Sequence, residues 1–295
     1  MGITGSEVVI KQCEVRHFNA FCYLLERVFA LILEKHFKKL LFLSWAILLP
    51  LIYFLAMPDL SKLKSENPEK TSYMKYQERE WRRKGRTLRI DQRWVSFSAI
   101  SPYLVRAVLI AEDDKFWNHE GFDTEAIRKA IEKDIKARKF KLGGSTISQQ
   151  LAKNLYLTPA KHPIRKIQEA IITWKMERVL SKKRILEIYL NVAEWGEGIY
   201  GIEAASRHYF GKSSSELTPA ESARLAAVLP NPKRYDPTGN QPYVVYRSDL
   251  IYDIMVRRGI VIPEYQEAIE ENGWSRDEEA EPMSSNPHAD SNPPE

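Results

Sequence analysis

Three short stretches carry side chains able to do chemistry together. In the first, Glu112-Asp113-Asp114-Lys115-Phe116-Trp117-Asn118-His119-Glu120-Gly121, acids, a histidine and aromatics crowd into ten residues. A carboxylate at a helix C-terminus, beside a like charge, holds its proton more tightly than usual. That is the direction a general base at neutral pH requires. The same residues also suit a polar loop whose acids cap the next helix, and their spacing leaves both readings standing. A histidine among acids invites a metal, yet the segment has neither HExxH nor paired-histidine spacing.

The second stretch is Gly143-Gly144-Ser145-Thr146-Ile147-Ser148-Gln149-Gln150-Leu151-Ala152-Lys153-Asn154. Glycines leading into a capped helix leave backbone N–H groups that can hold an anion or a sugar hydroxyl. Lys153 follows two turns down that helix. A plain helix start has the same composition, and no phosphate loop of the GxxxxGK type is present. The third stretch is Arg165-Lys166-Ile167-Gln168-Glu169. Helical spacing puts Arg165, Lys166 and Glu169 on one face, with Ile167, Ala170, Ile171 and Trp174 around the other side. By itself this reads as a surface ion pair worth at most about 0.5 kcal/mol.

These stretches must be positioned by helices. Ser101-Pro102 opens one over YLVRAVLIAED, with proline at the first helical position. Asp123 caps TEAIRKAIEKDIKA, and Thr146 with Gln149 forms a capping box for ISQQLAKNL. Helical patterns continue through IRKIQEAIITWKMERVL, then KRILEIYLNVA after Ser181, and ESARLAAVL after the box of Thr218 and Glu221. Strand alternation is rare; residues 86–97, RTLRIDQRWVSF, are its best candidate. The expected fold class is mainly α.

The chain has 295 residues, 44% hydrophobic and 28% charged, enough for a real core and unlike a disordered or collagenous chain. Its two cysteines, Cys13 and Cys22, lie near the N-terminus. This excludes a disulfide scaffold, a cysteine zinc site and thiol catalysis in the body. The net charge is +5, and from Lys133 to Lys166 nine lysines or arginines face the single acid Asp134. A solvated surface or a basic skirt against anionic lipid accounts for this run, and charge alone favours that reading over a phosphate cradle. No nucleic-acid-binding motif accompanies it.

Leu40 to Met57 are 18 uncharged residues ending against Pro58 and Asp59. At about 1.5 Å per residue they just cross a hydrocarbon core of roughly 30 Å. No Ala-x-Ala-like cleavage site follows, so a retained single-pass anchor is expected. Lys35, Lys38 and Lys39 crowd its N-terminal flank while the first far-side cation is Lys62, which favours a cytoplasmic N-terminus. Residues 18–33 suit an interfacial helix or one packed on a partner. From Arg276 onward six acids, one base and four prolines read as a disordered acidic tail.

EDDKFWNHEG, GGSTISQQLAKN, RKIQE and KKRILEIYLN, in that order, resemble the four signature motifs of the family 51 peptidoglycan glycosyltransferases. The match is closest to the monofunctional, membrane-anchored members. It runs from about Ser101 to Pro237, including NVAEWGEGIYGIEAASRHYFGK and LAAVLPNP, and more loosely to about residue 270. The resemblance implies a lysozyme-like glycosyltransferase domain over 86–272. Before it stand a cytoplasmic segment 1–39, the anchor 40–57 and a juxtamembrane linker 58–85; the tail 273–295 follows.

The implied activity is polymerisation of lipid II outside the cytoplasmic membrane, with inversion at the donor and release of undecaprenyl pyrophosphate. By resemblance, Glu112 is the base that deprotonates the acceptor's sugar 4-hydroxyl. Lys153 and Lys161 match positions that contact pyrophosphate, with Arg165 and Lys166 close by. Glu169 matches a second essential glutamate, acting directly or through a divalent ion such as magnesium or manganese. Ser145, Thr146, Gln149, Gln150 and Asn154 would shape the cleft. A family arginine falls on Lys129, with Arg128 adjacent, and Asp114 adds an unusual negative charge to the first motif.

The implied partners are lipid II, the growing glycan strand, the bilayer and other cell-wall synthesis proteins, with no nucleic acid. The location is the inner, cytoplasmic membrane, with the catalytic domain outside. A lytic transglycosylase or lysozyme is the rival within this fold, but a hydrolase needs no pyrophosphate cations. A noncatalytic anchored scaffold is a rival from another class. A transpeptidase domain does not fit: Ser72-Tyr73-Met74-Lys75 is an isolated SxxK without its partner motifs.

Overall fold

A computed structural model of the chain describes residues 58–137, 144–159 and 164–262, together with helical residues 39–42, 44, 45 and 48. The chain divides into two compact units, Met1–Asp59 and Leu60–Glu295. In the first, Leu40, Leu41, Phe42, Trp45 and Leu48 are exposed apolar side chains. Among the described residues no helix is long and apolar enough to cross a membrane. Most of the 40–57 anchor, most of the 1–39 segment and the whole of 18–33 and the 273–295 tail lie outside the described residues.

The second unit is mainly helical. Its helices are α1 (Ser72–Arg83), α2 (Pro102–Glu112), α3 (Thr124–Ala137), α4 (Ile147–Tyr156), α5 (Ile164–Val179), α6 (Lys182–Val192), α7 (Ile202–Phe210), α8 (Pro219–Val228) and α9 (Pro242–Arg257). The expected caps form: Thr146 and Thr218 each close a capping box, and Ser181 accepts from the Arg184 N–H. Two groups of helices result. In one, α4 packs against α5, α6 and α1; in the other, α8 lies against both α2 and α9. Leu151, Ile185 and Leu186 in the first group and Leu104, Leu225 and Met255 in the second are fully buried. Each such side chain contributes roughly 1.5–3 kcal/mol on leaving water.

The strand expected over 86–97 is nearly absent. Only β1 (Asp91–Gln92) forms, pairing parallel with β3 (Ile199–Tyr200), which pairs antiparallel with β2 (Glu194–Gly196). A side chain replaces the ladder beyond Gln92. Asn191 accepts from the Val95 N–H and donates to the Val95 carbonyl, both at 2.9 Å, and Glu187 accepts from the Phe97 N–H. The Val95 N–H and carbonyl and the Phe97 N–H are thus bonded without a strand partner.

Residues of the stretch read as a linker, 58–85, also pack on the body. Leu60, Leu63, Met74 and Trp81 are buried, and Arg184 donates to the Leu63 carbonyl at 2.8 Å. The periodicity of α1 is carried by only two buried residues, which hid it among charges.

Candidate active site

The site begins where α2 stops. Asp113 leaves the helical region, with φ −163° and ψ 74°, because its carboxylate is held from two sides. It accepts from the Ile147 N–H at the start of α4, 2.9 Å away, and from His119 Nε2 at 2.9 and 3.1 Å. His119 Nδ1 in turn accepts from the Gly121 N–H at 3.0 Å, which leaves the imidazole proton on Nε2, facing the acid. The Gly121 carbonyl accepts from Thr146 Oγ1 at 2.7 Å. Gly121 has φ +91°, and a Cβ there would lie 2.8 Å from Thr173 Cγ2, so glycine alone fits this corner.

One reading of the sequence, free N–H groups at the start of α4, is corrected. His119 is the partner of Asp113. The N-terminus of α4 already holds an anion, the Asp113 carboxylate, and its Gln149 N–H is taken by Thr146. Asp113→Asn should remove the charge-assisted part of both bonds and lower stability by about 1–3 kcal/mol. A denaturant midpoint equal to that of the unmodified chain would show that Asp113 does not join the two motifs.

Glu112, the last residue of α2, sits at the junction of the two helix groups. Gln150 Nε2 donates to its Oε2 at 2.7 Å, and Tyr189 donates to Gln150 Oε1 at 3.1 Å. Burial raises the Glu112 pKa above the ordinary carboxylate value. The Gln150 bond and the charges of Arg247 and Lys153 oppose that rise, and Asp113 adds to it. A half-buried carboxyl with one hydrogen bond and a raised pKa is a competent proton acceptor.

Lys153 is the cation nearest in kind to a ligand group. Its ammonium takes no hydrogen bond or ion pair among the described residues. Burial lowers its pKa; Arg165 and Lys166 lower it further, while Glu169 and Glu112 raise it. Both glutamates therefore act on one ammonium, and Glu112, Lys153, Arg165, Lys166 and Glu169 share a region.

The third motif departs most from its sequence reading. Glu169 is buried at 2% exposure, while Ile167 and Trp174 are 61% and 41% exposed. The inward face of α5 carries Glu169 and Thr173 together with Ile172 and Met176, while Ile167 and Trp174 lie outside with Lys166 and Arg178, so its apolar residues are split between core and surface. Glu169 accepts from Lys166 Nζ, and from Arg165 Nη1 at 3.4 Å. Arg165 Nε is buried without a partner among the described residues. This is no surface ion pair.

Of the other expected site residues, Ser145 accepts from Lys166 Nζ at 3.4 Å. Thr146 and Gln149 are buried and bonded to one another in the capping box, so they build the helix start instead of offering free polar groups. Asn154 is half-buried on α4. Lys129 is exposed on α3 and pairs with Glu125 at 2.7 Å, with no contact to Glu112, Lys153 or Glu169. Lys161 lies outside the described residues. Asp114 adds no free charge, because Arg258 holds it through both guanidinium nitrogens, Nη2 at 2.9 Å.

No group of three or more His, Cys, Asp or Glu side chains able to hold a metal occurs among the described residues. Glu169 has its carboxylate occupied by two cations, so the described residues do not make a protein-held divalent site. Sequence reading assigned no role to Asp113, His119, Tyr189 or Arg247. Arg247, on α9, donates to the Ala111 carbonyl at 3.0 Å beside Glu112. Nothing near it in the sequence marks it, since its partner lies 136 residues away.

A family model described as "Transglycosylase" matches residues 80–256. Proteins named biosynthetic peptidoglycan transglycosylase resemble the chain over much of their length. The one from Nitrosospira multiformis is 48% identical over 194 residues, 66% of this chain and 84% of the relative. That from Dechloromonas aromatica is 54% identical over 170 residues, 58% and 74% of the two chains. That from Herminiimonas arsenicoxydans is 44% identical over 222 residues, 74% and 95%.

Proposed function

The chain belongs to the transglycosylase family, and on that premise we propose that it polymerises lipid II into β-1,4-linked peptidoglycan glycan strands. One observation carries the residue-level reading: the Lys153 ammonium, half-buried on α4 and without a partner among the described residues, lies within range of the charges of both Glu112 and Glu169. Glycosyl transfer to a sugar alcohol with loss of a diphosphate needs a base and a set of cations within one substrate's reach.

In this reading Glu112 takes the proton of the acceptor's 4-hydroxyl as its oxygen attacks the donor's anomeric carbon. The bond to undecaprenyl pyrophosphate breaks on the opposite face, and inversion gives the β linkage. Lys153 meets the charge that develops on the diphosphate, with Arg165, Lys166 and Lys161 around it. Glu169 holds Arg165 and Lys166 in place. Gln150 orients the base, and Ser145 and Asn154 line the approach.

Lipid II carries a polyprenyl tail, so the site must work at a bilayer surface. We assign bilayer contact to Ile164, Ile167 and Trp174, exposed on α5, the helix that carries Glu169. The uncharged stretch 40–57 serves as a single-pass anchor in the cytoplasmic membrane, with residues 1–39 inside and the catalytic domain outside.

The test is direct. Purified full-length protein in detergent, given lipid II alone, should yield long glycan chains and free undecaprenyl pyrophosphate, resolved by gel and thin-layer chromatography. Absence of polymer, or cleavage of preformed glycan in its place, would overturn the assignment.

A further inference from the structure

We propose that Tyr189, in α6, is a positioning residue for the base: its hydroxyl fixes the Gln150 amide so that the N–H end faces Glu112. The inference rests on Glu112 being the base.

A glutamine amide has a donor end and an acceptor end, and rotation by half a turn exchanges them. Facing an ionised carboxylate, only the N–H end bonds. Facing a protonated carboxyl group, the oxygen end can accept its proton. Gln150 therefore has two competing orientations, one for each state of Glu112. Tyr189 separates them. Its hydroxyl donates to Gln150 Oε1 at 3.1 Å and has no other partner among the described residues, and the side chain is 1% exposed. If the amide rotated, the tyrosine proton would be left in the core without an acceptor, which is unfavourable. The tyrosine thus biases Gln150 toward the orientation that bonds a carboxylate.

The other groups facing Glu112 are Lys153 from α4 and Arg247 from α9, which favour its charge, and Asp113 on its own segment, which opposes it. Tyr189 itself stays protonated, because burial and the fields of Glu112 and Asp113 push its pKa far up. Removing the hydroxyl changes none of these charges and leaves the ring's packing between α4 and α6 in place.

The experiment compares the pH dependence of kcat/KM on lipid II for the unmodified chain, Tyr189→Phe, Gln150→Leu and the double variant, with Glu112→Gln as a control. Tyr189→Phe should move the acid limb to higher pH by roughly half a unit to one unit, as expected for losing part of a hydrogen bond to a charged group. In the Gln150→Leu background it should move the limb no further. A uniform fall at every pH with the limb unmoved would overturn the proposal and leave Tyr189 a packing residue. So would an equal further shift in the double variant.

Retained activity in Glu112→Gln would instead sink the base assignment, and this inference with it. Should Tyr189→Phe fail to fold, a ring-fluorinated tyrosine at this position, a stronger hydroxyl donor, is the second probe. The limb should then move to lower pH, and an unmoved limb would count against the proposal.

Discussion

Glu112→Gln is expected to lower polymerisation from lipid II by about a thousandfold, in the middle of the range a positioned base contributes. Glutamine keeps the shape and the oxygen that accepts from Gln150, so the lost quantity is proton acceptance. Stability separates this from damage. The Glu112 pKa is raised in the fold, so the stability linked to its protonation is present below the unfolded-state pKa and is lost as pH rises through the folded value. At neutral pH the ionised side chain therefore opposes folding, and Glu112→Gln should melt no lower than the unmodified chain. In the unmodified chain, kcat/KM should fall on acidification with an inflection above the ordinary glutamate value. A variant that polymerises normally would show that the proton goes elsewhere.

Lys153→Met is expected to lower turnover by about 10²–10³-fold, the scale of removing one fixed charge-stabilising donor from a transition state. The loss should appear with the donor's diphosphate leaving group and be relieved when a donor with a better, uncharged leaving group is supplied. Here too stability moves the opposite way. Burial lowers the Lys153 pKa, so the ammonium form is disfavoured by folding at every pH below its folded value, and its ion has no partner among the described residues. Methionine fills the same volume without a charge, and the melting temperature at neutral pH should rise. A fall in melting temperature with donor kinetics unchanged would make Lys153 a structural residue.

Much of the frame was legible in the linear chain, because its signals are local. A cap acts over three residues and an apolar stripe over four, so Thr146 with Gln149, Thr218 with Glu221 and Pro102 each marked a helix that forms. The family motifs likewise singled out Glu112, Lys153 and Glu169. α1 was less legible, having few buried residues, and the 86–97 strand was misread because Asn191, nearly a hundred residues on, stands in for a neighbouring strand.

Tertiary structure alone decided what each marked residue does. Asp113 became the anchor of a helix 34 residues away, Tyr189 reached Gln150 across 39 residues, and Arg258 neutralised Asp114 across 144. It also buried Glu169 beside Ile172 and Met176 while leaving Ile167 of the same helix exposed. Periodicity tells which side chains share a face of a helix, but not whether protein, water or lipid will cover it. That is settled only when distant segments pack, because charge pairing and burial depend on distances in space that chain separation does not encode.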